Sequence, residues 1–194
     1  MKYIDRTCNV VNFYRPNLNM AIKNIVATAT LRHKLDLKEV ELACGSVLCR
    51  RITAFRSINL QYEKGSLIQI FDNKRIIVIG GCTEGQNKRK FLEFLRILLD
   101  LGVNAEYTNY QIQNIVACYC YGKPLKLAEI ATRNKLEFEP ELFPAVRYRN
   151  NCLKVTVNIF HTGSCVILGA KSAETVSQIA VSYTHLTLPT SDLV

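Results

Sequence analysis

The most reactive side chains in this 194-residue chain are eight cysteines and three histidines. Zinc ligation needs paired ligands that face a second pair. The nearest approaches to pairs are Cys44-x4-Cys49 and Cys118-x-Cys120, and nothing close to either completes a set. Buried free thiols are the expectation, with no metal and no cofactor. His33, His161 and His185 share no spacing, and no nucleophile–base pair or carboxylate dyad recurs. Bond-making chemistry is therefore not expected. What does recur is suited to holding a ligand. Asn24 and Asn114 lie 90 residues apart, Phe55 and Phe143 88 apart, and Phe71 and Phe160 89 apart. Amides supply hydrogen-bond donors and acceptors, and rings supply apolar contact. A formal charge of +9 points the ligand towards a polyanion, either nucleic acid or an acidic membrane surface.

These pairs belong to a longer internal duplication. NIVATATL at 24–31 matches NIVACYCY at 114–121, LDLKEV at 35–40 matches LKLAEI at 125–130, and IQIF at 68–71 matches VNIF at 157–160. Gly80 and Gly169 close equivalent strands. The order is kept while the offset drifts from 90 to 88, as small loop deletions would cause. A period this long is not that of a solenoid and implies a duplicated half-domain. Each half opens with a strand (24–31, 112–121). A short helix follows, capped near Asp36 in the first half. Three strands come next, at 52–60, 67–72 and 75–80, matched by 145–149, 153–160 and 164–169. A longer helix closes the half, starting after Thr83 with Gln86 in capping-box position. Strands joined by short turns give antiparallel sheet, and helices on one face make an α+β layer.

Strand parity separates two faces. Ile25, Ala27, Ala29, Ile68, Ile70, Ile76 and Val78, with Ile115, Ala117, Val155, Val157, Ile159 and Ile167, should lie under the helices. Asn24, Val26, Thr28, Phe55, Gln69, Phe71, Ile77 and Ile79 share the other face. Their counterparts are Asn114, Val116, Cys118, Phe143, Asn158, Phe160, Val166 and Leu168. This second face is either an open binding surface or the seat of a second helix layer or a dimer. Parity alone does not choose. Length and composition are globular, and no apolar run approaches the roughly 20 residues of a membrane span. The N-terminus lacks the apolar stretch of a secretory signal, so a reducing compartment is expected.

EPELFP at 139–144 with Tyr148 and Arg149, IQNIV at 112–116, GAK at 169–171, NIV at 24–26 and KLDL at 34–37 resemble the TATA-box-binding protein family over about residues 20–181. The resemblance implies a saddle of curved antiparallel sheet built from two pseudo-symmetric repeats, with helices on the convex face. It also implies a general transcription initiation factor that bends A·T-rich double-stranded DNA through the minor groove. In that family Asn24 and Asn114 would donate to base acceptors, while Val26, Val116, Ile77 and Val166 would pack on sugars and base edges. Phe55 with Phe71 and Phe143 with Phe160 would wedge base steps, Pro144 following the second stirrup's ring. Arg75 and Arg149 would meet phosphates, with Arg56 and Arg147 as further candidates. The turn carrying Glu139, Glu141 and Leu142 would receive a transcription factor IIB-like protein. Factor IIA-like or other regulators could meet the convex helices, where Lys88, Arg89 and Lys90 could equally be a plain solvated face. No membrane partner is implied, and localisation would be nuclear, or a viral transcription compartment for a virus-encoded protein.

Two departures stand out. Ile79 and Leu168 replace a usual threonine, and Gln69 and Asn158 replace a usual leucine. Polar groups are thus lost at one symmetric pair of positions and gained at another, which implies an altered or relaxed, still A·T-rich, site preference. The runner-up reading is a divergent interaction module that recruits or sequesters transcription proteins with weak DNA specificity. The expected organisation is an extension at 1–19, repeats at 20–105 and 106–181, and a tail at 182–194. The last helix is expected to break off after Ala180, and SYTHLTLPTSDLV is read as a cloning or library scar. Residues 20–105 carry 14 basic and 8 acidic residues, and residues 110–180 carry 8 and 5, so the first half is the more basic.

Overall fold

The computed structural model of the chain describes residues 19–52, 56–63 and 65–187. The elements run β1 (Asn19–Leu31), α1 (Leu37–Leu48), β2 (Cys49–Ile52), β3 (Ser57–Glu63), β4 (Ser66–Phe71), β5 (Arg75–Ile79) and α2 (Glu84–Asp100). They continue with β6 (Tyr107–Cys120), α3 (Leu127–Asn134), β7 (Ala145–Asn150), β8 (Val155–Phe160), β9 (Ser164–Ala170) and α4 (Ala173–Thr187). The chain divides into two compact units, one formed by Asn24–Gln113 and the other by the rest. The class is α+β, as the repeat pattern implies.

In the first unit the antiparallel order is β2-β3-β4-β5-β1. Helices α1 and α2 cover one face. Leu37, Val40, Phe91, Phe94 and Leu98 pack onto Ala27, Ala29, Ile58, Leu60, Ile68, Ile70, Ile76 and Val78 in one buried cluster. Helix α1 starts where the sequence places it, with Asp36 Oδ1 accepting from the Lys38 amide at 2.8 Å. Helix α2 starts with a reciprocal cap. Thr83 Oγ1 accepts from the Gln86 amide at 3.1 Å, and Gln86 Oε1 accepts from the Cys82 amide at 2.9 Å. The first bond satisfies an orphan donor of the helix start, and the second ties the residue before the cap back to the first turn.

In the second unit β6-β9-β8-β7 form the antiparallel sheet. Helix α4 buries Val176, Ile179 and Ala180, and α3 buries Leu127, Ile130 and Ala131. The glycines that close β5 and β9 have the same reason in both units. A Cβ on Gly80 (φ +123) would stand 2.6 Å from the Gly65 carbonyl oxygen, and one on Gly169 (φ +94) would stand 2.8 Å from that of Lys154. Both are close backbone approaches that only glycine permits.

Three expectations need correction. The strand expected at 52–60 is two strands, β2 and β3, which pair antiparallel through Cys49↔Leu60 to Ile52↔Ser57. Strand β6 begins at Tyr107, five residues early. Its first half reads as polar, yet Tyr107 and Tyr110 both pack on Phe91, at ring-centroid distances of 4.8 and 5.5 Å. Asn109 has φ 54, and this kink lets two residues of opposite parity reach the same core. Helix α4 does not break off after Ala180 but continues to Thr187. Threonine costs a helix only about half a kcal/mol per residue. The true stop signal, Pro189, lies past the helix end.

Candidate nucleic-acid interface

Parity assigned the two faces correctly. Every residue placed under the helices is buried, from Ile25, Ala27 and Ala29 in β1 to Ile167 in β9. Every described residue of the other set is half-buried: Asn24, Val26, Thr28, Gln69, Phe71, Ile77 and Ile79 in one unit, and Asn114, Val116, Cys118, Phe143, Asn158, Phe160, Val166 and Leu168 in the other. That face therefore stands open in each unit, with no second helix layer over it among the described residues. Phe55 lies outside the described residues, so only Phe71 of the first wedge pair can be placed.

Register brings the face together in matching rows. In the first unit Thr28 stands opposite Ile77, Ile77 opposite Gln69, and Gln69 opposite Asn59. In the second, Cys118 stands opposite Val166, Val166 opposite Asn158, and Asn158 opposite Arg147. Val26 pairs with Ile79, and Leu168 with Thr156. The centre of each row is hydrocarbon and its outer end is a polar cross-strand pair. Single-strand patterns could not reveal Asn59–Gln69 and Arg147–Asn158, because the pairing depends on register.

The amides on this face differ in how they are held. The Gly169 backbone N–H donates to Asn114 Oδ1 at 2.7 Å. A backbone N–H can only donate, so the oxygen of Asn114 must face Gly169 and the amide nitrogen is left to donate elsewhere. Gln69 Nε2 donates to the buried Ser57 hydroxyl at 3.0 Å, which leaves Oε1 as its free end. Asn158 Oδ1 and Asn59 Oδ1 are covered and have no hydrogen-bond partner among the described residues. Gln113 Nε2 donates to Thr28 Oγ1 at 2.8 Å, so the Thr28 hydroxyl keeps its own proton available.

The rings of Phe143 and Phe160 meet edge to face, with centroids 6.2 Å apart. The Arg147 guanidinium lies 5.1 Å above the Phe143 ring, within cation–π range. Pro144, next to Phe143, is exposed. Arg75 and Arg149 are exposed with no ion-pair partner among the described residues, whereas Arg56 sits 3.7 Å from Asp72. Burial pushes the Cys118 thiol above its ordinary pKa, with Lys23 opposing, so it stays protonated and inert on this face.

The turn before Phe143 is tight, with the amides of Leu142 and Phe143 both bonding the Glu139 carbonyl at 3.0 and 2.9 Å. Glu139 and Glu141 are exposed, and Leu142 is 81% exposed, unusual for a leucine. The cations of α2 are partly engaged within their own unit. Arg89 faces Glu93 at 3.9 Å and Lys88 lies over Tyr110 at 5.9 Å. Tyr110 in turn donates to Asn87 Oδ1 at 2.6 Å, and buried Asn87 donates to the carbonyls of Ile25 and Gly80. No cluster of three His, Cys, Asp or Glu suited to a metal ion occurs among the described residues. No described helix is long and apolar enough to cross a membrane.

Each unit thus presents an open, half-apolar sheet face with amides at matching positions of the repeats, an arrangement suited to holding a ligand. The family model described as "Transcription factor TFIID (or TATA-binding protein, TBP)" matches residues 109–186. The TATA-box-binding protein of Schizosaccharomyces pombe is 35% identical over 159 residues, covering 81% of this chain and 69% of that protein. That of Methanothermobacter thermautotrophicus is 33% identical over 181 residues, covering 92% and 99%. The solved structure titled "Methanococcus jannaschii TBP" matches with a TM-score of 0.77 at 25% identity, covering 87% of this chain and 97% of that one. The chain belongs to the TATA-box-binding protein family, which consists of DNA-binding transcription initiation factors and not of enzymes.

Proposed function

We propose that this chain binds A·T-rich promoter DNA in the minor groove and bends it. In this reading Asn24 and Asn114 donate to A N3 and T O2, the acceptors the groove presents. Val26, Val116, Ile77 and Val166 pack on sugars and base edges. Phe55 with Phe71, and Phe143 with Phe160, wedge base steps, and Pro144 supports the second wedge. Arg75 and Arg149 neutralise phosphates. Glu139, Glu141 and Leu142 receive a factor IIB-like protein, for which acidic side chains beside a DNA-binding face have a physical use. Convex-face regulators of the factor IIA type remain partners of the same proposal, as does a nuclear or viral transcription compartment.

The observation that carries the reading is the open face itself. Apolar residues and wedge rings stand half-buried there, while the alternate residues are fully buried. A bending assay on A·T-rich duplexes tests it, with Phe143→Ala plus Phe160→Ala as control. Wild type should bend the duplex and the double variant should not. A wild type that neither bends DNA nor binds it above a scrambled duplex favours the interaction-module reading, to which the hydrocarbon at Ile79 and Leu168 also lends weight.

A further inference from the structure

The amides on the open face fall into two kinds, and the difference concerns which base pairs the protein admits. Asn114 is locked as a donor by the Gly169 N–H. A donor pointed into the minor groove suits A·T and opposes the N2 amino group of guanine, the one donor that groove contains. Gln69 and Asn158, at repeat-equivalent positions two residues before Phe71 and Phe160, are held differently. Gln69 commits its nitrogen to Ser57 and keeps its carbonyl oxygen free. Asn158 has its oxygen covered with no partner among the described residues, and no internal bond holds its amide in that orientation. Half a turn about its last torsion presents the oxygen outward at no loss of an internal hydrogen bond. A carbonyl oxygen is what a guanine N2 amino group needs.

We propose that Gln69 and Asn158, one in each unit, are specificity-determining acceptors that admit G·C pairs next to the two wedged steps, by accepting a hydrogen bond from guanine N2. The proposal rests on the minor-groove reading above and refines it. The site it describes is A·T at the locked Asn114 and G·C-tolerant or G·C-preferring beside the wedges.

The test uses the full chain and an A·T-rich duplex in which a single G·C pair is moved through every position. Each duplex is matched by one carrying inosine·C at that position. Inosine lacks the N2 amino group and otherwise keeps the G·C major-groove pattern. At the positions beside the wedges, G·C should bind about fivefold tighter than inosine·C, the worth of one net hydrogen bond. Diaminopurine·T, which adds the same amino group to an A·T pair, should also tighten binding there. Gln69→Leu plus Asn158→Leu should abolish both preferences while still binding the A·T-only duplex. Inosine·C binding tighter than G·C at every position overturns the proposal while leaving minor-groove binding intact, and so does a double variant with unchanged preferences. Failure of wild type to bind even the A·T-only duplex overturns the underlying reading and the proposal with it.

Discussion

Substitution of Asn114 separates its two bonds and so tests whether it reads DNA. Its oxygen accepts from the Gly169 N–H at 2.7 Å, which leaves its nitrogen to donate elsewhere. Asn114→Ala removes both functions. The Gly169 amide is half-buried, so water can partly replace the lost acceptor, and stability should fall by about 1 kcal/mol, the low end for an orphaned donor. DNA affinity should fall by about 1–3 kcal/mol as a base acceptor loses its donor. Asn114→Asp behaves differently. Its carboxylate still accepts from Gly169, in a charge-assisted bond of roughly twice the strength, so stability is kept or raised. The outward oxygen, however, now meets base acceptors with no proton to share, between two rows of phosphates. Affinity should fall by about 3 kcal/mol or more, on the order of 100-fold. Thermal melting and fluorescence anisotropy on an A·T-rich duplex at fixed salt read the two effects separately. An aspartate variant that binds as well as wild type refutes the placement of Asn114 against the groove. One that melts as low as the alanine variant refutes the claim that Gly169 locks the amide.

Three further outcomes follow from other parts of the molecule. Arg149→Ala should reduce the slope of log affinity against log salt by about one, the share of one phosphate, and weaken binding equally across sequences. Gly169→Ala should destabilise the second unit by about 1–3 kcal/mol or more in chemical denaturation, because φ +94 and a Cβ at 2.8 Å from the Lys154 carbonyl oxygen act together. Gly45→Ala, at φ +71 with nothing within 4 Å of the Cβ, should cost less. Burial, with Glu84 and Tyr107 adding to it, pushes the Tyr110 pKa up to about 12 from 10.0. The folded state therefore holds the phenolic proton more tightly than the unfolded state. This contribution to stability is complete below pH 10 and is lost as pH rises towards 12. In Tyr110→Phe, denaturation midpoints measured across that window should lose this part of the alkaline fall.

Much of this was legible because the repeat and the strand period reinforce each other. Ile25, Ala27 and Ala29 alternate with Asn24, Val26 and Thr28, and the same alternation returns at Ile115 and Ala117. Two aligned copies turn a weak pattern into an assignment of faces. The helix start at Thr83 was legible for a local reason, since both capping bonds join residues within four positions. What escaped was tertiary. Asn87 looks like any exposed polar residue of a first helical turn, yet it is fully buried and ties β1, the end of β5 and Tyr110 together. The early start of β6 escaped because a positive φ at Asn109 breaks the period on which the reading depended. The extent of α4 escaped because threonines lower helix propensity without forbidding a helix.

The pattern of change across the two repeats also separates what faces DNA, in the proposed reading, from what faces protein. Hydrocarbon at Ile79 is matched at Leu168, and the amide at Gln69 is matched at Asn158. A duplex has two antiparallel strands and offers nearly equivalent ends, so a reader built from two repeats must keep its two faces equivalent. The paired positions do this even where their chemistry differs from the family's. The sequence segments before the wedge rings behave otherwise. Glu139, Glu141 and Leu142 in the second repeat correspond, at the offset of 88 set by Phe55 and Phe143, to Arg51, Thr53 and Ala54 in the first. Acid stands opposite base there, and an exposed leucine opposite an alanine. A factor with near-symmetric DNA faces and unlike segments before its wedge rings can seat a second protein on one side only, and so give a near-symmetric site a direction. Glu139→Arg removes that asymmetry. It should weaken a ternary complex with a factor IIB-like protein in a native gel-shift while leaving DNA binding unchanged, and an unchanged ternary complex would remove the turn from the argument.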